Sequence, residues 1–247
     1  MFITTDALVL REVKYKEADR ILTLYTASNG KITAKARGAL RKTSRTGAGT
    51  QQLTFSSMTL FFNKGKWTVN EASVIEAFDG LKEDIARLAL ASYFAECVET
   101  LSVEEQGDGA MLSLVLNSLY ALSRALCDER KIKAAFELRL MGISGFMPAI
   151  DGCCVCGRSE PVEPLLSPED GTLACRSCRP SADAVRLDEA SLAAMRHILN
   201  APLKQFLSFR LPEDSLSVLS SAAESYFLAQ TERRFGTLSY YKNVKEF

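Results

Sequence analysis

The sequence predicts an α+β multidomain protein, in which a small β-barrel precedes an all-helical domain that a four-cysteine insert interrupts. Three observations support this fold class. The first 80 residues contain short strand-like runs, and the apolar spacing becomes helical after Asp79-Gly80. Two C-x2-C motifs lie between residues 150 and 180. A chain of 247 residues is long enough for two domains and a small insert.

The predicted strands are short runs rich in β-branched or aromatic residues. They are Ala7–Leu10, Ile21–Tyr25, Ile32–Ala36, Ser57–Phe62 and Trp67–Val69. Asn29-Gly30 is a type I′ hairpin signal between the second and third runs, and Asn63-Lys-Gly65 indicates a turn between the last two. Five short antiparallel strands suit a small barrel better than a sandwich. We therefore predict a five-stranded oligonucleotide-binding (OB) barrel over residues 1–80.

Residues 81–247 are predicted to form the helical domain. The first helix has one apolar face made of Leu81, Ile85, Leu88, Ala95, Val98 and Leu101. Further helices are predicted at 110–127, 130–142, 188–200 and 213–235. Asp188 and Asp214 are the predicted N-caps of the last two.

Four cysteines in the insert have the spacing of a zinc site. Cys153 and Cys156 form one C-x2-C pair, and Cys175 and Cys178 form another after 18 residues. Four thiolates complete a tetrahedral shell with no open position, which is typical of a structural zinc. Gly157 follows the first pair and can adopt a positive φ. We predict one structural zinc per chain, held by an insert over residues 150–180.

Disulfides or unrelated thiols are the alternative for these cysteines. The total of seven is odd, and the first residues lack a signal-peptide pattern, so we expect a reducing, cytoplasmic environment. Cys154 is interpreted as a neighbour of the site, and Cys97 and Cys127 as buried core residues of helices.

The charges are unevenly distributed along a chain of zero net charge. Residues 1–80 carry a net charge of +5, whereas residues 81–150 carry −3 and residues 151–247 carry −2. No acidic residue occurs between Asp19 and Glu71, an interval that holds nine lysines and arginines. A local field of one sign attracts polyanions even on a neutral protein.

Aromatic residues are interleaved with these cations, as in proteins that bind single strands through cationic grooves and stacking rings. They are Tyr25, Phe55, Phe61, Phe62 and Trp67. The alternative is a solvated barrel face with rings packed in the core, although adjacent Phe61 and Phe62 cannot both face inward. The predicted DNA contacts are Lys31, Lys35, Arg37, Arg41, Lys42, Arg45, Lys64, Lys66 and Trp67.

Several other classes of protein receive little support. No apolar run reaches the length of a membrane span, and no phosphate-binding glycine loop is present. The single histidine, His197, is not accompanied by a nucleophile-elbow motif. We therefore expect a protein that is not an enzyme, although a magnesium-binding carboxylate cluster is left open by sequence alone.

Three blocks of the chain resemble the RecO family of bacterial recombination mediators. They are the strand pair Tyr15–Leu24, the basic strand Gly30–Lys42, and Gly145-Phe-Met-Pro148 followed by both cysteine pairs. The resemblance extends over nearly the full length. It implies an N-terminal OB barrel and a helical domain that carries a zinc-ribbon insert.

The resemblance also implies a function in DNA repair and recombination, in the cytoplasm and at the nucleoid. RecO-like proteins bind single- and double-stranded DNA, anneal complementary strands, partner with RecR, engage the C-terminal tail of single-strand binding protein and help load RecA. By match, the four cysteines are the zinc ligands, and phosphate contacts fall to Lys35, Arg37, Arg41 and Lys42. Leu40 departs from the pattern, because another basic residue is expected there.

Two alternatives to DNA binding remain open: an adaptor whose OB barrel binds only protein, and a zinc-ribbon protein that binds RNA. The ribbon itself is acidic, since residues 150–180 hold three arginines against five carboxylates. We therefore expect the ribbon to brace the helical domain and the barrel to contact DNA.

Overall fold

The structure, a computed structural model, describes residues 1–104, 106–178 and 182–245. The chain divides into two compact units, one formed by residues 1–124 with 235–247 and the other by residues 125–234. The predicted helical region therefore contributes helices to both units. None of the helices in the described ranges is long and apolar enough to span a membrane.

Five strands of the first unit form a closed barrel in the order β1-β2-β3-β5-β4, with β4 pairing back onto β1. The OB-type barrel predicted from sequence is thus confirmed. The β3–β5 pair is parallel, whereas all five strands were expected to be antiparallel. The strands are β1 Phe2–Tyr15, β2 Asp19–Thr26, β3 Gly30–Ala36, β4 Phe55–Asn63 and β5 Lys66–Glu76.

Alternating side chains of the strands fill the barrel. On β3, Ile32, Ala34 and Ala36 are buried in a cluster with residues of β1, β2, β4 and β5. Because successive side chains of a strand point to opposite faces, Lys31 and Lys35 lie on the outer face of β3. The barrel core therefore determines where the cations of this strand point.

The β2–β3 hairpin differs from the predicted type I′ turn. Thr26 pairs with Gly30, so the loop contains three residues rather than two. Gly30 has φ +59°, and a Cβ atom there would lie 2.4 Å from the carbonyl oxygen of Gln106. Glycine is needed here because the segment after the first helix packs directly against the hairpin.

Among the described residues, the α-helices of the first unit are α1 Ile85–Leu101, α2 Gly109–Ser123 and α6 Gly236–Lys245, the last of which follows the second unit in the chain. The predicted face of α1 is partly wrong, since Ile85 and Leu88 are exposed while Leu90 and Phe94 are fully buried. Contacts with α2, α6 and β1 bury a broader surface of α1 than one apolar stripe. Helix α2 ends at Ser123, short of the predicted Cys127, and α6 was not predicted.

The second unit combines three helices with a small three-stranded sheet of order β7-β6-β8. The helices are α3 Glu129–Ile143, α4 Glu189–Asn200 and α5 Glu213–Thr231, and the strands are β6 Pro164–Ser167, β7 Thr172–Cys175 and β8 Val185–Arg186. Residue 180, the predicted end of the insert, lies outside the described residues.

The two predicted N-caps have different outcomes. The Asp188 side chain accepts the N–H of Ser191 at 2.7 Å, which confirms it as the N-cap of α4. The prediction for Asp214 is wrong, because α5 begins after Pro212 and Asp214 lies within its first turn. A carboxylate at that position still interacts favourably with the positive end of the helix dipole. The same helix ends at Thr231 rather than at the predicted residue 235.

Candidate metal centre and nucleic-acid interface

The β6–β7 hairpin brings the two cysteine pairs together. Cys153 and Cys156 precede β6, Cys175 ends β7, and Cys178 lies in the 3-10 turn Arg176–Cys178. All four sulfur atoms lie within 4.8 Å of one another. The predicted quartet therefore forms one cluster, and its four ligand atoms could hold a single metal ion.

Backbone N–H groups in this cluster favour the thiolate form of one cysteine, which is the form that binds a cation. The Cys153 sulfur accepts N–H groups from Cys156 at 3.5 Å and Cys175 at 3.3 Å. These hydrogen bonds lower the pKa of Cys153 to about 6, whereas burial and the neighbouring thiols raise the pKa of Cys178 to about 12. One thiolate is thus favoured, and further deprotonation requires a cation to offset the repulsion between sulfurs.

Gly157 closes the first cysteine knuckle as expected. It has φ +71°, and its N–H donates to the carbonyl oxygen of Cys153 at 2.9 Å. Cys154 is exposed and lies outside the cluster, which confirms its interpretation as a neighbour. Cys97 is buried as predicted, whereas Cys127 is only partly buried, because it lies beyond the end of α2.

An arginine of α4 fastens the first knuckle to the helices of its unit. Arg196 donates to the carbonyl oxygens of Ile150 at 3.0 Å, Asp151 at 3.2 Å and Ser159 at 2.9 Å. It also forms an ion pair with Glu160 at 2.9 Å. Sequence analysis missed Arg196, since an arginine on a helix gives no local sign of the loop it will contact.

Helix α5 supports the other side of the ribbon. The Tyr226 hydroxyl donates to the carbonyl oxygen of Phe146 at 2.7 Å, and the Gln230 amide donates to Pro168 and Glu169 in the β6–β7 loop. The ribbon is therefore an integrated part of its unit. These contacts hold the loops beside the cluster against α5.

Two arginines on the strands and the turn of the ribbon share one carboxylate. Arg176 and Arg186 both pair with Glu163, at 3.0 Å and 3.2 Å. Arg179, one of the three arginines counted from the sequence, lies outside the described residues. Among the described residues of this acidic segment, Arg158 is the one exposed arginine without an ion pair, which leaves little free positive charge for phosphate groups.

The barrel presents four exposed cations just after β3. We call residues 37–45 the basic loop; it carries Arg37, Arg41, Lys42 and Arg45. None of these four side chains has an ion pair or hydrogen bond with another described residue. The basic loop is thus a source of uncompensated positive charge at one end of the barrel.

The remaining predicted contacts are divided between two ends of the barrel. Lys64 and Lys66 are exposed in the β4–β5 turn, which lies near the start of β3. The basic loop follows the other end of β3, and Lys31 and Lys35 are separated along this strand by about 13 Å, at about 3.3 Å per residue. The nine predicted residues are therefore spread along the length of β3 rather than grouped at one end of it.

Two of the predicted contacts already have partners. The Lys35 ammonium lies 2.8 Å from Asp19 and 4.8 Å from the centre of the Tyr15 ring, and Lys35 lowers the pKa of Asp19. The Lys31 ammonium donates to the carbonyl oxygen of Glu99 at 3.0 Å. DNA contact by the nine residues stays a prediction, but these two are less available for phosphate than the basic loop.

The barrel aromatics have different environments. Tyr25 is buried, with its hydroxyl against the backbone of Asp108, so it is not available for stacking. Phe61 lies against Phe2, with ring centres 4.6 Å apart. Phe62 and Trp67 form a second pair, at 4.8 Å, beside a groove at the β4–β5 turn.

A closed five-stranded barrel, joined in one chain to helices and a four-cysteine ribbon, defines an OB-type barrel protein with a candidate metal centre. Comparison with known proteins then identifies the family. Residues 1–78 match the family described as Recombination protein O N terminal, and residues 82–239 match Recombination protein O C terminal. The chain belongs to the RecO family of DNA repair proteins.

Individual relatives agree over almost the whole chain. The DNA repair protein RecO of Acetivibrio thermocellus is 32% identical over 244 residues, which cover 98% of this chain and 97% of the relative. The protein of the same name from Symbiobacterium thermophilum is 33% identical, with 93% and 92% covered. That of Heliobacterium modesticaldum is 35% identical, with 96% and 88% covered.

Proposed function

We propose that this chain is a DNA-binding recombination mediator, which binds single- and double-stranded DNA and anneals complementary strands. Together with RecR, it helps load RecA on DNA that is coated by single-strand binding protein, whose C-terminal tail it contacts. The observation that carries the DNA-binding part is the basic loop, with four exposed cations that lack a partner among the described residues. Membership of the RecO family supports the remainder.

The mechanism involves no covalent chemistry. Two complementary strands repel each other through their phosphates, and cations that bind both strands reduce this repulsion. Arg37, Arg41 and Lys42 are placed to do so because they extend from the barrel without carboxylate partners. Neutralised strands then pair faster, so the protein acts as an annealing surface rather than as an enzyme, in the cytoplasm at the nucleoid.

We further propose that the cysteine cluster holds one structural zinc ion. Four thiol ligands within 4.8 Å suit tetrahedral coordination, and no water-bearing position remains for catalysis. A zinc ion bound there would stabilise the ribbon, whose first knuckle is held to α4 by Arg196. Four thiolates carry more negative charge than the ion carries positive charge, so the bound centre would have a net negative charge.

An annealing assay tests the central proposal. Two complementary oligonucleotides, one with a donor and one with an acceptor dye, are mixed with and without protein, and the pairing rate is followed by energy transfer. We expect faster pairing with the protein, and loss of most of this acceleration in the Arg37→Ala, Arg41→Ala, Lys42→Ala variant. A protein that leaves the rate unchanged would favour the adaptor alternative, and a preference for RNA in competition would favour the RNA-binding one.

A further inference from the structure

The groove at the β4–β5 turn differs chemically from the basic loop. It has a volume of about 500 Å³, which is within the range of small-ligand sites. Residues from four parts of the first unit line it, including Asn29, Lys31, Phe62, Trp67 and Glu104. It lies at the end of β3 opposite to the basic loop.

The aromatic pair of this groove is accessible. Phe62 is 38% exposed, and Trp67 is partly buried against the barrel core while its ring contacts that of Phe62. A core position would have enclosed both rings, as it does Tyr25. An exposed ring next to a partly buried one that packs against the core provides a surface for another flat, apolar group.

The groove is lined by residues of both charge signs, and its cations already have backbone partners. Glu104 and Lys31 are among its lining residues, the Lys31 ammonium is engaged by the backbone of Glu99, and the N-terminal ammonium of Met1 donates to the carbonyl oxygen of Phe62 at 3.2 Å. Lys64 and Lys66 are exposed at the neighbouring turn, where they can attract the phosphates on either side of an inserted base. A strand could therefore place a base in the groove and its backbone at the rim.

We propose that the Phe62–Trp67 groove is a stacking site for one unpaired nucleobase, which gives the barrel a preference for single strands. This proposal rests on the proposed DNA binding and adds to it a second contact, separate from the basic loop. A base inside a duplex is already stacked and paired, so only a single strand or a flipped base can use the groove. The basic loop, by contrast, contacts phosphates of either kind of DNA.

Trp67 is the only tryptophan of the chain, so its fluorescence reports on this groove directly. Full-length protein is titrated with three dye-labelled probes of equal length: a single-stranded oligonucleotide, a blunt duplex and an abasic deoxyribose-phosphate oligomer. Binding is measured by anisotropy of the dye and stacking by tryptophan emission. We expect the single strand to quench Trp67 in parallel with the anisotropy change, and the other two probes to bind without quenching.

Two variants complete the test. Phe62→Leu removes an exposed ring but keeps apolar volume, and should weaken single-strand binding about tenfold, or about 1.4 kcal/mol, without affecting the abasic oligomer. Phe2→Leu, which removes an exposed ring of the Phe2–Phe61 pair, should change neither the affinity for the single strand nor that for the abasic oligomer. Single-strand binding with unchanged tryptophan emission, or equal affinity for the abasic oligomer, would overturn the stacking site and leave the proposed function intact. Absence of an anisotropy change with every probe would overturn both.

Discussion

Arg20 donates a hydrogen bond from Nη1 to the carbonyl oxygen of Gly47 at 2.9 Å. The same nitrogen donates to the Thr50 hydroxyl at 3.1 Å, and Nε lies 3.4 Å from the Glu12 carboxylate. Arg20 is buried on β2, whereas Gly47 and Thr50 belong to the connection that begins with the basic loop. One cation of the acid-free stretch therefore holds in place the connection that carries the four cations of the basic loop.

We expect Arg20→Ala to lower the free energy of unfolding by about 3 kcal/mol, because it leaves buried acceptors without a charged donor. DNA affinity should also fall, although no exposed charge is removed. Urea unfolding and oligonucleotide anisotropy measure the two effects. Arg37→Ala is the control, since it should weaken DNA binding and leave stability unchanged. An Arg20→Ala protein as stable as the parent would contradict the anchoring role.

The exposed cations of the basic loop should determine how DNA binding depends on salt. The affinity for single strands is expected to fall with a log-log slope of about −0.7 per neutralised phosphate. The Arg37→Ala, Arg41→Ala, Lys42→Ala variant should bind several-fold more weakly and show a slope that is smaller in magnitude by about 2. Anisotropy titrations at several salt concentrations give both values.

A matched control separates local from overall charge. Lys204→Ala, Arg233→Ala, Arg234→Ala removes the same charge from exposed positions of the second unit. This variant should keep the slope of the parent protein. If the two triple variants have equal slopes, the basic loop is not the phosphate contact.

Loss of a cluster cysteine should release the metal. Cys175→Ser is expected to purify with little zinc and with a melting temperature at least about 5 °C lower, because the binding free energy of a structural zinc contributes to folding. Cys154→Ser is the matched control, since its exposed sulfur is outside the cluster. Metal content by mass spectrometry and calorimetric scans test both variants. A zinc-free Cys175→Ser protein with unchanged melting temperature would rule out the structural role.

The parts of the fold that sequence predicted depend on short-range patterns. Alternating residues such as Ile32, Ala34 and Ala36 identify a strand and its buried face, and the spacing of the cysteines fixes a knuckle within a few residues. The capping box of Asp188 with Ser191 is likewise local. Such patterns need no knowledge of distant partners.

The parts that were missed depend on contacts between distant residues. Ile85 and Leu88 fit a helical stripe, but the packing of α2, α6 and β1 around α1 buries another face. Arg20 counts as a surface charge in the sequence and becomes an internal anchor only when the β3–β4 connection folds over it. Lys31 and Lys35 are likewise less available for DNA because of partners that the sequence does not reveal. Lys31 contacts the backbone of Glu99, and Lys35 pairs with Asp19.

A buried ion cluster in the second unit leads to the last prediction. The Lys133 ammonium lies 2.8 Å from Glu137 and 2.9 Å from Glu224, and Lys133 and Glu137 are almost fully buried. Burial alone would lower the pKa of Lys133, but attraction to the two carboxylates outweighs it and raises the pKa, so the lysine stays charged. Lys133→Met should cost about 3–5 kcal/mol, because it removes the ammonium that offsets the negative charge of a buried carboxylate.

The double variant Lys133→Met, Glu137→Leu distinguishes this cause from a loss of packing. It removes both buried charges and keeps apolar volume, while Glu224 is partly exposed and can turn towards water. We therefore expect the double variant to recover much of the stability lost in Lys133→Met, since two apolar side chains often replace a buried ion pair at little cost. Urea unfolding followed by circular dichroism gives the comparison. Equal losses in the single and double variants would mean that the shape of the lysine, rather than its charge, stabilises the contact between α3 and α5.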